Sequence, residues 1–344
     1  MTRDSRAGPA SWLWPPVAAV ALSAQAHTPR AGSASPATAG WLLGPWELAV
    51  VILLASTAWL YAAGLVALWR RGGKGSGIRA WRAGSYAAGW LALAIALVSP
   101  LDTLGSRLFS AHMVQHEVLM LIAAPLLVLG HPLAVYLWAV PVRWRSRVVA
   151  GVRRRSLRAF WRAITTPPVA WGLAATVLWV WHLPALFNAT LRRDAIHALQ
   201  HGCFLLSTLV FWHVFLPRRG SGTRGAAILY IFTTALHSSV LGALLTFAPS
   251  VWYAGYHGRA LAFGLTPLED QQLGGLIMWV PAGAAYLAVA LCWVAELTRD
   301  PKPATGASRD RSAVAHPTLA LAGELFPGHA APFDRAHPRI GSDG

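Results

Sequence analysis

The chain of 344 residues holds only two cysteines, Cys203 and Cys292, and no C-x-C or C-x-x-C pair. Each falls within an expected helix, near opposite faces of a membrane, so a disulfide, a thiolate metal relay and dithiol redox chemistry are all poorly served. Charge is scarce too: Asp, Glu, Lys and Arg make up 12% of the chain, about half the share of a soluble domain. Carboxylates are the scarcest, 13 against 29 Lys and Arg. There is no phosphate-binding glycine loop, no constellation of nucleophile and base, and no internal repeat of the inverted-repeat transporter kind. Those absences argue against an enzyme.

What fills the space is apolar. Hydrophobic residues make up 55% of the chain, tryptophan occurs 18 times and the mean hydropathy is +0.46. Runs of about 20 apolar residues match the thickness of a bilayer's hydrocarbon core. The fold class that follows is all-α: a polytopic membrane protein with seven transmembrane helices. They are expected near Trp46–Trp69, Gly84–Ser99, Phe109–Gly130, Pro168–His182, Ala195–Leu216, Ala226–Phe247 and Leu273–Leu297. Leu133 to Val140 is too short to cross and reads as an interfacial piece. Sixteen Lys and Arg fall in the loops Arg70 to Arg82, Arg143 to Arg162 and Arg218 to Arg224. Only Arg107, Arg192, Arg193 and Arg259 fall in the loops on the other side. This bias puts the N-terminus outside and the C-terminus inside. It also accounts for the formal charge of +16 without invoking nucleic acid.

Arg3 and Arg6, the short apolar stretch Trp12 to Ser23 and Ala24-Gln25-Ala26 read together as a signal peptide over 1–26. Residues 27–45 then form an extracytoplasmic linker, 46–297 the seven-helix membrane domain, and 298–344 a disordered cytoplasmic tail rich in Pro and Ala. His27, which cleavage would make the N-terminus, is read as a linker residue.

Topology sorts the histidines. His112 and His116 fall at the outer end of the third span, His182 at that end of the fourth, and His197 and His201 at that end of the fifth. His237 sits at mid-depth, and only His131 and His213 fall near the inner face. Residues i and i+4 on a helix place their side chains about 6 Å apart on one face. Each H-x-x-x-H pair can therefore reach a single metal ion. The same spacing cannot supply both axial ligands of one haem, which approach from opposite sides of the ring. At 100° per residue Met113 and Met120 share the arc of His112 and His116, and thioethers beside imidazoles favour Cu(I). The expected metal set is His112, His116, His197 and His201, with His182, Asp270, Met113 and Met120 around it. Glu117 or Asp270 would orient a ring N–H. His131 is read as a helix-end residue, His213 and His237 as interhelical hydrogen-bond partners, and Cys203 and Met278 as packing residues.

Several stretches carry a resemblance in the same order. They are Ser110-Ala-His-Met-Val-Gln-His116, Ala123-Ala-Pro-Leu-Leu-Val-Leu-Gly-His-Pro132, Trp181-His-Leu-Pro-Ala-Leu-Phe187, His197-Ala-Leu-Gln-His201 and Leu265 to Trp279. From Trp46 to Leu297 the chain resembles the CtaG family of cytochrome c oxidase assembly factors, first tied to caa-type oxidases. Glu117 departs from the apolar residue that pattern leads one to expect. A different, single-span assembly protein of the same name binds copper through thiols, and this chain is not of that type. The resemblance implies a multi-pass protein of the bacterial plasma membrane that handles copper for haem–copper oxidase. Its partners would be apo-oxidase subunits and periplasmic copper chaperones. Two other classes compete: a membrane haem-binding or quinone-linked redox protein, and a copper transporter.

Overall fold

The computed structural model describes residues 45–216 and 221–299. The expected signal peptide, all but the last residue of the linker, and the tail from residue 300 lie outside the described residues. Among the described residues there are helices and turns but no strand. The helices are α1 (Pro45–Gly72), α2 (Ala80–Val98), α3 (Pro100–Gly105), α4 (Phe109–Glu117), α5 (Ala124–Leu129), α6 (Pro132–Ala139), α7 (Val142–Val152), α8 (Arg155–Ile164), α9 (Pro167–Trp181), α10 (Pro184–Thr190), α11 (Asp194–Phe215), α12 (Ser221–Thr246) and α13 (Pro267–Arg299).

Among the described residues six stretches are long and apolar enough to cross a bilayer: Glu47–Gly72, Ala80–Val98, Phe109–Leu129, Asp194–Phe215, Gly225–Thr246 and Pro267–Glu296. Their outward faces carry exposed Leu53, Leu206, Phe232 and Leu287, the side chains that lipid solvates without cost. The expected fourth span coincides with α9 but is not among these six. Pro167 and Pro168 start α9, and His182-Leu183-Pro184 stops it after 15 residues, about 22 Å at the rise of an α-helix. α8 precedes it across a 70° bend. The eight arginines between Arg143 and Arg162 thus sit on and between two helices, α7 and α8, where the sequence suggested only a loop.

The third span is continuous but changes its winding. Val118–Ala123 joins α4 to α5 as a π-helical turn. Pro125 is the reason. It has no N–H to donate and would clash with the preceding turn of an α-helix. In the wider winding Ala124 N–H bonds to Leu119 O, and the carbonyl that Pro125 leaves without a donor is that of Met120. The Trp212 indole of α11 donates to it at 2.8 Å.

Glycine sets the approach of α13 to its neighbours. A Cβ on Gly275 would lie 2.6 Å from Thr246 N and 2.7 Å from Gly242 O, both backbone atoms of α12. One on Gly274 would meet the Phe109 ring of α4. Small residues at such crossings let membrane helices touch backbone to backbone. The start of α13 is thereby held against the start of α4, where the histidines are.

Candidate metal centre

α4 begins at Phe109 after Leu108, whose side chain offers no cap. Asp270, in the first turn of α13 and fully buried, supplies one. Its Oδ2 accepts from Phe109 N–H at 2.6 Å. Its Oδ1 accepts from Ser110 N–H at 3.1 Å and from Ser110 Oγ–H at 2.5 Å. A carboxylate there satisfies orphan donors and complements the helix dipole. His112 follows within the first turn and His116 one turn later.

Those two rings meet the rings of α11. His112 Nε2 lies 2.9 Å from His116 Nε2 and 3.2 Å from Gln200 Oε1. Ring centroids are 4.2 Å apart for His197 and His201, 5.1 Å for His112 and His197, and 5.4 Å from His201 to each of His112 and His116. His182, capping the C-terminus of α9, stands 5.9 Å from the His116 ring. Its Nδ1–H donates to Leu178 O at 2.7 Å, which fixes the tautomer and leaves Nε2 as a bare lone pair. That atom, His116 Nδ1, His197 Nε2 and His201 Nε2 are all buried without a hydrogen-bond partner. So many orphaned ring nitrogens in one place carry a polar cost that a bound cation would remove.

The ligand atoms of His112, His116 and His201 lie within 4.8 Å of one another, as do those of Asp102, His197 and His201. Metal–imidazole bonds are about 2.0–2.1 Å, so small ring rotations bring either trio onto one ion. The residues fit a soft or borderline cation: the first trio offers neutral nitrogens only.

Two tyrosines from the loop before α13 brace the site. Tyr253 donates to His182 O at 2.9 Å and Tyr256 to Gly105 O at 2.8 Å; Tyr256 Oη also stands 3.4 Å from His112 Nδ1. Burial pushes both phenols well above their ordinary range, with Asp270 adding to the effect on Tyr256. They stay protonated donors.

The structure brings together His112, His116, His197 and His201 as the spacing suggested, with His182 beside them. Asp270 falls outside both groupings, its oxygens engaged by α4. Met113 and Met120 are buried in an apolar cluster with Phe109, Phe187 and Phe204. Met278 belongs to the same cluster, and Cys203 packs on it. Glu117 is buried with Oε2 unpartnered. His131 takes a left-handed φ of 51° just before α6. His213 lies beside Trp161, and His237 beside Trp171. Sequence reasoning missed Asp102, Gln200, Tyr253 and Tyr256 as site residues. The one available signal was an acid, Asp102, in a chain with so few, at the same end of a span as the histidines.

A family model described as cytochrome c oxidase caa3 assembly factor matches residues 59–300. The chain is also similar to uncharacterized proteins of Mycobacterium bovis and Mycobacterium tuberculosis. Each is 28% identical over 252 residues, which is 70% of this chain and 37% of theirs. A third, from Mycobacterium leprae, is 26% identical over 258 residues with the same coverage. The chain therefore spans little more than a third of the length of these curated relatives. No solved structure matches it.

Proposed function

Since the chain belongs to the family of cytochrome c oxidase caa3 assembly factors, we propose that it carries copper as cargo in the histidine cluster and hands it to an apo-subunit of a haem–copper oxidase. The observation behind this reading is the convergence of buried, unpartnered imidazole nitrogens from α4, α9 and α11. His112, His116 and His201 form the ligand core, with His197 and His182 at its edges. Asp270 contributes by holding the first turn of α4, and Met113 and Met120 by filling the apolar wall. Cu(I) suits this set. It accepts neutral nitrogen donors, and a single positive charge is cheaper to bury than a double one.

The proposed topology counts the bent pair α8–α9 as the fourth of seven crossings, N-out and C-in, in a bacterial plasma membrane. The cluster then faces the extracytoplasmic side, where a copper chaperone can load it. The protein has no catalytic role in this scheme.

The test is the copper content of detergent-purified protein after Cu(I) loading and a chelator wash. Wild type should retain about one ion per chain, and His112→Ala with His116→Ala should retain none. Oxidase activity in cells carrying the double variant should fall with it. Unchanged copper and unchanged oxidase maturation in that variant would falsify the reading. A Soret band in the wild-type preparation would point to haem instead.

A further inference from the structure

The cluster has two groupings of ligand atoms that share one residue, and they differ in depth. His112, His116 and His201 have 0%, 1% and 6% of their surface exposed. Asp102, on α3, and His197, at the start of α11, are only half-buried. Asp102 does not swing freely: its Oδ1 accepts from Gln115 Nε2 at 2.9 Å, and the same amide donates to Ala96 O at 2.8 Å. This amide ties the carboxylate to the helix that bears His112. His197 Nε2 is buried without a partner, and its ring lies 5.1 Å from that of His112.

We propose that Asp102, His197 and His201 form a second, outer metal position, through which the ion reaches the buried trio by pivoting on His201. This rests on the copper-carrying reading above and adds the route by which the ion arrives. The chemistry of the two positions is graded. A carboxylate with two imidazoles suits a cation that still holds water, and its negative charge offsets the cost of bringing that cation to the membrane. Three neutral imidazoles in a buried space suit the dehydrated ion. In the transfer the ion exchanges the Asp102 oxygen and the His197 nitrogen for the nitrogens of His112 and His116, while His201 stays bound. Only coordinate bonds form and break, and the oxidation state is unchanged. His201 brings one orphaned nitrogen, Nε2, so the positions are alternatives and one ion is held at a time.

The experiment follows uptake of Cu(I) from its coloured bicinchoninate complex by the full-length protein in detergent, and then the copper retained after a chelator wash. Asp102→Asn keeps an oxygen to accept from Gln115 and removes the charge; it is tested alone and with His197→Gln. Both variants should retain about one ion per chain but load more slowly, on the order of tenfold, the scale of losing one metal-orienting partner. His112→Ala with His116→Ala should take copper from the complex at the wild-type rate and lose it to the wash. Gel filtration checks that each variant is folded. Loading of the Asp102→Asn variants at the wild-type rate would overturn the outer position alone. So would their failure to retain any copper, which would make the residues one single site. A wild type that retains no copper would overturn the copper-carrying reading and this inference together.

Discussion

The Trp212 indole donates to the Met120 carbonyl at 2.8 Å, across the interface of α11 with the third span. It repairs the backbone at the one place where Pro125 leaves it open. Trp212→Phe keeps an aromatic ring against Tyr286 but strands a buried carbonyl, which costs about 1–3 kcal/mol. A lowered thermal midpoint in detergent is the expected outcome. Adding Pro125→Ala returns an N–H to the turn and should recover much of the loss. If Trp212→Phe melts like wild type, the carbonyl has another donor.

Asp270 separates two roles cleanly. As the cap of α4 it is worth about 2 kcal/mol, so Asp270→Ala should melt earlier and bind copper more weakly, yet still reach the wild-type stoichiometry at saturation. A residue that ligated the ion directly would lower the stoichiometry itself. Equilibrium dialysis against graded Cu(I) distinguishes them.

Glu117 carries a buried carboxyl oxygen with no hydrogen-bond partner, in a span. Glu117→Leu, of similar volume, should raise the thermal midpoint, since an unpaired buried polar group costs about 1–3 kcal/mol. A drop in stability would reveal a partner for the carboxyl.

The crossing of α12 and α13 tolerates no side chain at Gly275, where backbone atoms stand at 2.6 and 2.7 Å from the Cβ position. Gly275→Leu should destabilise by at least the 1–3 kcal/mol typical of overpacking, and the site should lose copper with it. A Cβ at Gly172 of α9 meets nothing within 4 Å. Gly172→Ala should therefore be neutral or stabilising by about 0.5–1 kcal/mol. Midpoints for the pair, measured side by side, test whether close approach is the cause.

The histidine pairs were legible because i, i+4 spacing is a property of one helix, and positive-charge counting put both pairs at one depth. What lay between helices was not legible. Asp270 looked like a ligand because an acid beside a span has no sequence mark to say that its partners are the N–H groups of Phe109 and Ser110, 161 and 160 residues away. Asp102, three residues beyond the expected end of the second span at Ser99, carried no mark that set it beside His197. The arc drawn through Met120 assumed 100° per residue, and the π turn set by Pro125 breaks that assumption beyond Glu117. The expected fourth span, Pro168–His182, coincides with α9; hydropathy did not register α8 before it or the 70° bend that sets the two apart. The CtaG-type motifs reached the family; they were silent on which residues face one another.

The cap on α4 also bears on the order in which the protein is made. Both histidine pairs leave the ribosome and enter the bilayer well before Tyr253, Tyr256 and Asp270, which reach them from the last loop and the last span. A nascent chain stopped after α11 has every imidazole of the cluster but neither the cap on Phe109 nor the braces on Gly105 and His182. Completion of the cluster therefore coincides with insertion of the final helix, and a half-made chain has the imidazoles without the contacts that hold their helices in place.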